Sequence, residues 1–311
     1  MVDDAMVDDA MVDEVRSFNR TVTQRVGALN DHYLARGRPL GEARVLWEIG
    51  GEGCDVRILR VRLSLDSGYL SRLLRSLEAA GLIVVAASKQ DKRVRTARLT
   101  KKGQAERKLL DRRSDALARS MLDPLTVPQR QRLVAAMSEV ETLLTAALVR
   151  VDVIDPLHED AQHCLREYFA ELDRRFHAGF DPAQALPALP DEMRPPSGVF
   201  LVATLRDEPI GCGALKFHGD GPTEVKRMWV APTARGLGVG RRLLRELESR
   251  AAEHGSKIIR LETNKTLTEA IAMYRSAGYE EVAAFNDEPY GDHWFEKRLR
   301  ARESRNVSLA T

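Results

Sequence analysis

Residues Arg235-Gly236-Leu237-Gly238-Val239-Gly240-Arg241-Arg242 put alternating glycines between two runs of different periodicity. The run before them, Val225-Lys226-Arg227-Met228-Trp229-Val230, alternates apolar and basic residues and reads as a strand. After them Leu243, Leu244, Leu247 and Ala251 recur at helical spacing. The segment is therefore a strand, a glycine-rich turn and a helix N-terminus. The first N–H groups of a helix have no intrahelical acceptor and lie at the positive end of its dipole, so such a turn attracts phosphate. Glycine lets a pyrophosphate approach the backbone without a Cβ in the way, and the flanking arginines add positive charge.

Two familiar phosphate loops are excluded. A P-loop needs Lys and then Ser or Thr after its last glycine, and here Arg241-Arg242 follow. A dinucleotide fingerprint needs a different glycine spacing. The pattern Arg-x-x-Gly-x-Gly after its strand resembles the acetyl-CoA loop of the GNAT acetyltransferase superfamily. Neighbouring segments carry the same resemblance: the strand-like run Lys257 to Thr263, a helix bearing Ala270, Met273 and Tyr274, then Gly278-Tyr279, and a closing strand at Trp294-Phe295-Glu296-Lys297. It covers roughly residues 155–300 and implies an α/β GNAT fold, a mixed, mostly antiparallel sheet flanked by helices.

The resemblance implies acetyl-CoA as cosubstrate and assigns residues to it. Gly236, Gly238, Val239, Gly240 and Arg241 would contact the pyrophosphate, with Arg235 as a helper. Met228 and Val230 would offer backbone to the pantetheine arm. Asn264, just past a strand end, would bind cofactor or substrate, unless it is only a helix cap. Acetyl transfer to an amine needs a held cofactor, a neutral amine and a proton for the leaving thiolate. By period 2, Glu224 shares a strand face with Lys226 and Met228, and family resemblance makes it the candidate base. Tyr274 shares a helical face with Leu267, Ala270 and Ile271, so it points inward, and the resemblance makes it the candidate acid.

The 311 residues allow about two domains. In the front half, helix signals run over 15–35 and through Val45, Leu46 and Ile49. A short helix over Val56 to Leu63, a turn at Ser64-Leu65-Asp66 and a longer helix through Tyr69, Leu70, Leu73, Leu74 and Leu77 form a helix-turn-helix pattern. Ser67, Ser71, Arg72 and Arg75 lie off the leucine face, where they could enter a major groove. Leu82 to Ala87 and Val94 to Leu99 read as a hairpin with a charged tip at Ser88 to Arg93. This order, with Asp91-Lys92-Arg93-Val94-Arg95 and Leu99-Thr100-Lys101-Lys102-Gly103, resembles the MarR family of winged-helix repressors. The mainly α winged helix-turn-helix fold that follows implies a double-stranded DNA operator, contacted also by Arg93 and Arg95. Helices expected over 104–120 and 128–150 would, by the same resemblance, join the first helix in a homodimer.

The expected division is an acidic repeat tail over 1–14, a DNA-binding and dimerisation domain over 15–152 and an acetyltransferase domain over 153–311. The tail repeats Met-Val-Asp-Asp-Ala and offers three starts, Met1, Met6 and Met11. The three cysteines, Cys54, Cys164 and Cys212, are scattered and show no metal-ligand spacing, so no metal is expected. Scattered cysteines, the absence of a long apolar run and the acidic N-terminus point to a cytoplasmic protein with no membrane partner. The expected activity is a bifunctional one: transcription regulation together with N-acetylation of a primary amine of a small molecule such as an amino acid. The alternatives are a regulator whose GNAT fold only senses acetyl-CoA or an amine, and a protein lysine acetyltransferase.

Overall fold

The computed structural model describes residues 7–29, 33–35, 37–87 and 94–299, in two compact units, 1–136 and 137–311.

In the first unit α1 (Asp9–Arg25) is capped by Asp8, whose carboxylate accepts the Met11 N–H at 2.7 Å. Residues 9–14 of the acidic repeat are thus the first turns of a helix. The acidic repeat extends the first helix at its N-terminus, because a capping aspartate lies within it. After α2 (Leu40–Ile49) come β1 (Cys54–Asp55), α3 (Val56–Arg62) and α4 (Ser67–Ala79). Asp55 caps α3 and Asp66 caps α4, which fixes the turn between them. Leu70, Leu73, Leu74 and Leu77 are buried against Val45, Leu46, Ile49 and Leu59. At about 2 kcal/mol per buried leucine, this face decides the orientation of α4. Ser67, Ser71, Arg72 and Arg75 are left exposed on its other side.

The hairpin of β2 (Ile83–Ala87) and β3 (Arg95–Leu99) joins β1 in a three-stranded antiparallel sheet of order β1-β3-β2. Arg95 opens β3 and is exposed, whereas Arg93 and Asp91 lie outside the described residues. The two-residue strand β1 is too short for a period to register, and only its pairing with Thr96 and Ala97 reveals it. Next come α5 (Lys101–Leu122) and α6 (Val127–Ala147), the latter running on into the second unit. Neither α1 nor α6 buries a residue, and Val15, Phe18, Val22, Val134, Met137, Leu143 and Leu144 are all exposed.

The second unit holds β4 (Arg150–Val153), α7 (Glu159–Arg175), β5 (Gly198–Leu205), β6 (Glu208–Lys216), β7 (Thr223–Val230), α8 (Val239–Glu253), β8 (Ile258–Thr263), α9 (Thr268–Ser276), β9 (Glu280–Val282) and β10 (His293–Arg298). Its seven strands run in the order β4-β5-β6-β7-β8-β10-β9. All pairs are antiparallel except β7 with β8. The helix expected to reach residue 150 ends at Ala147, and a boundary after 152 would cut β4. Arg150 to Val153 pair with Thr204 to Leu201, a partner about fifty residues away that local periodicity cannot show.

One sheet face packs α8 and α9 through Leu243, Leu244, Leu247, Ile271 and Tyr274. The other packs α7 through Ala161, Cys164 and Leu165 against Phe200, Val202 and Trp229. Among the described residues no helix is long and apolar enough to cross a membrane.

Candidate active site

The site originates in a fault in the sheet. Parallel β7 and β8 pair only at Thr223 with Ile259 and Glu224 with Arg260. Beyond that point the strands diverge, although β7 runs on to Val230 and β8 to Thr263. The divergence coincides with a β-bulge. The β6–β7 register slips between Cys212 and Ala214, and Arg227 adopts a left-handed φ of 57°. Bulges bend a strand and re-aim its side chains.

The bulge also corrects the period-2 expectation for β7. Glu224 and Lys226 share a face, but Met228 does not share it. Met228 and Val230 pack with Val225 on the α8 side, while Arg227 and Trp229 turn to the α7 side. Gly213, opposite the bulge, gives Met228 its room, because a Cβ there would lie 2.6 Å from the Met228 sulfur.

Two cavities open at the divergence. The larger, about 540 Å³, is walled by Met228, Val230, Gly236, Gly238, Gly240 and Arg241. The smaller, about 100 Å³, reaches Lys226, Arg227, Glu262 and Asn264. Tyr168, Met228 and Tyr274 belong to both walls, so the cavities meet there.

The floor of the larger cavity is the turn read first in the sequence. Gly236 and Gly238 have φ values of 87° and 73°, and Gly238 is the N-cap of α8 without a side-chain cap. The N–H groups of Val239, Gly240 and Arg241 therefore lack intrahelical acceptors. A cavity of this size beside a bare helix N-terminus fits a pyrophosphate with a pantetheine arm.

Arg235 also lines the larger cavity and is tied to α7. It donates to both Glu171 oxygens, at 2.6 and 2.7 Å, and the Trp229 indole N–H donates to the same carboxylate at 3.0 Å. Arg175 adds a third donor to Glu171 and bridges to Glu269 on α9 at 2.7 Å. This buried carboxylate ties α7 to the glycine turn, so Arg235 positions the turn.

Glu224 is also committed. It accepts from Arg260 at 2.7 Å, lies 3.2 Å from Lys226 and 3.4 Å from His218, and is absent from both cavity walls. Burial opposes its charge, yet Lys226, Arg260 and His218 outweigh that and hold its carboxyl below the usual range. Glu262 was missed by sequence reasoning. It stands in the smaller cavity's wall and binds Lys226 from the other side. Its signal was the alternation of β8, which sets Glu262 apart from the buried Leu261 and Thr263.

Asn264 faces the smaller cavity, away from the glycine turn. Its side chain accepts from the Thr266 N–H and donates to the Tyr290 carbonyl, the work of a turn-forming residue. Tyr274 is 5% exposed. Burial, then the nearby Tyr168 and Glu262, push its hydroxyl pKa well above the ordinary value, so it holds its proton. Among the described residues no cluster of three His, Cys, Asp or Glu side chains could hold a metal.

A model described as the acetyltransferase (GNAT) family matches residues 157–279, and one described as the MarR family matches 36–94. An IAA acetyltransferase of Azospirillum brasilense is 37% identical over 132 residues, which are 42% of this chain and 84% of that protein. N-alpha-acetyltransferase RimI of Mycobacterium tuberculosis is 30% identical over 148 residues, 47% of this chain and 83% of that protein. A solved acetyltransferase of the GNAT family from Staphylococcus aureus is 18% identical, with 49% of this chain and 100% of that one covered at a TM-score of 0.41. With a glycine-capped helix at a split sheet and most of an acetyltransferase's length matched, the chain belongs to the GNAT family of acetyl-CoA-dependent N-acetyltransferases and carries a MarR-family region in its front half.

Proposed function

We propose that the protein is a cytoplasmic, bifunctional transcription regulator and N-acetyltransferase that acetylates a primary amine of a small molecule such as an amino acid. The observation that carries this reading is the meeting of the two cavities at Tyr274. One is floored by the α8 N-terminus, and the other, of about 100 Å³, suits a small acceptor. The backbone of Gly236, Gly238, Val239, Gly240 and Arg241 holds the pyrophosphate. The free edge of β7 at Met228 and Val230 holds the pantetheine amides. Bound acetyl-CoA supplies an activated acetyl thioester. As the new N–C bond forms and the C–S bond breaks, Glu262 takes the amine proton and Tyr274 gives its own to the departing thiolate. Glu224 stands behind, fixing Lys226 and through it Glu262.

Acetyl-CoA consumption by the full chain across amino acids, polyamines and aminoglycosides tests the activity. Turnover of small amines is expected; coenzyme A binding without turnover of any amine would leave a sensor instead. Glu262→Gln is expected to lower kcat about 100-fold, and Glu224→Gln to lower it less. Glu224 should instead affect acid stability. Its contribution is present above its ordinary pKa of 4.5 and fades as pH falls through the depressed folded value, so Glu224→Gln should flatten the acid limb of a melting profile.

For the front half, the exposed Ser67, Ser71, Arg72, Arg75 and Arg95 support operator binding, and the MarR resemblance adds Arg93. The apolar faces of α1 and α6 support a homodimer. Arg72→Ala should weaken operator binding about 10-fold and lessen its salt dependence, as lost phosphate contacts do. Phe18→Asp should shift the protein to monomer in sedimentation. An unchanged gel shift or an intact dimer, respectively, would reject these assignments.

A further inference from the structure

Arg227 carries the bulge of β7 in a left-handed conformation that costs a non-glycine residue about 1–3 kcal/mol. The result of that strain is where the side chain goes. The guanidinium lies 5.1 Å from the Phe169 ring centre and 5.9 Å from that of Tyr168, in the wall of the smaller cavity.

The other charged groups of that wall are matched within the protein. Lys226 sits between Glu224 and Glu262. Glu262 also accepts from Asn286. Glu288 accepts the backbone N–H groups of Leu186 and Tyr290. Among the described residues no Asp or Glu forms an ion pair with Arg227. A partly desolvated guanidinium without a counter-ion is costly, and its planar fork suits a carboxylate held by two parallel hydrogen bonds. Tyr168 and Phe169 cover its faces, the Tyr168 hydroxyl accepts from its rim, and the remaining N–H groups are left for a ligand.

Aromatic rings complete the cavity. Phe180 lies tilted against Tyr290 at 4.8 Å and meets Phe176 edge-on at 5.8 Å between ring centres. A volume of about 100 Å³ is well below the roughly 300 Å³ at which drug-sized ligands begin to fit. The wall therefore presents one unmatched cation, an apolar aromatic side and a carboxylate, Glu262, near Tyr274.

We infer that the acceptor is a free α-amino acid with an apolar side chain, its carboxylate on Arg227, its side chain against Phe176, Phe180 and Tyr290, and its amine toward Glu262. The inference rests on the smaller cavity being the acceptor site. Arg227 is then the specificity-determining residue: it rejects amines that lack the carboxylate, polyamines and aminoglycosides included.

The test compares leucine with leucinamide and 3-methylbutylamine, and phenylalanine with phenylalaninamide and phenethylamine, as acceptors for the full chain. The acid is expected to exceed its amide and its decarboxylated amine about 100-fold in kcat/KM, because the unmatched charge is partly desolvated. Arg227→Gln should collapse that ratio toward one, chiefly through KM for the acid, and Arg227→Lys should restore part of it. Equal kcat/KM for acid and amide with the unaltered protein overturns the assignment without needing the variant to fold. So does turnover confined to amines without a carboxylate, which would leave the transferase reading standing. Coenzyme A binding with no turnover of any acceptor would instead bring down the transferase reading, and this assignment with it.

Discussion

Replacing Tyr274 with phenylalanine should lower kcat about 100-fold, the usual size of a lost general acid, while coenzyme A binds as before. The substitution removes one oxygen and nothing else. The ring keeps its packing near Tyr279 and Phe295, at 5.9 and 6.1 Å between centres. Thermal stability should therefore change by less than about 1 kcal/mol. Tyr274 lines both cavities, so its proton is within reach of a thiolate in one and an amine in the other. Its pKa is raised above the ordinary tyrosine value of 10.0 by burial, so the proton is still there to give at any ordinary assay pH. Measuring kcat and calorimetric coenzyme A affinity on the same preparation separates the outcomes. An unchanged kcat means that water or another group protonates the sulfur. A fall in affinity of similar size would mean that Tyr274 shapes the cavity rather than serving the reaction.

The second large effect lies in the glycine turn. Gly238→Val should weaken coenzyme A binding 10-fold or more. A Cβ at this position would meet no atom within 4 Å, so collision is not the cause. The cause is conformation: Gly238 holds φ 73° and ψ 10° as the N-cap of α8. A β-branched residue pays at least about 1–2 kcal/mol to stay there, and each 1.4 kcal/mol is tenfold in affinity. If it relaxes instead, the N–H groups of Val239, Gly240 and Arg241 turn away from the larger cavity. Gly238→Asn is the control, because asparagine tolerates the left-handed region; it should bind within about threefold of the unaltered protein by the same reasoning. Equal affinity for the valine variant would show that the turn does not hold the pyrophosphate.

Arg235 and Glu224 show what residue type alone leaves open. Both have the right chemistry at the expected place in the motif. Arg235 lines the larger cavity and is also bound to Glu171, sixty-four residues earlier in the chain, whereas Glu224 is in neither cavity wall and is bound to Arg260, thirty-six residues later. Glu262 escaped notice for the converse reason. Its strand was recognised, but nothing local shows which strand will lie next to it or where the two will part. Arg227 looked like one more basic position in an alternating run.

The sequence by itself determined what depends on neighbours a few residues apart. The glycine turn and its helix, the leucine face of α4, the paired wing strands and the inward direction of Tyr274 follow from a period of two or near four and from backbone preferences. Tertiary structure alone decided the bulge at Arg227, the parting of β7 from β8, the joining of β4 to the second sheet and the partner of each buried charge. Those features arise where segments far apart in the chain compete for hydrogen bonds and counter-ions. The winner is set by burial and geometry in three dimensions, which no local pattern encodes.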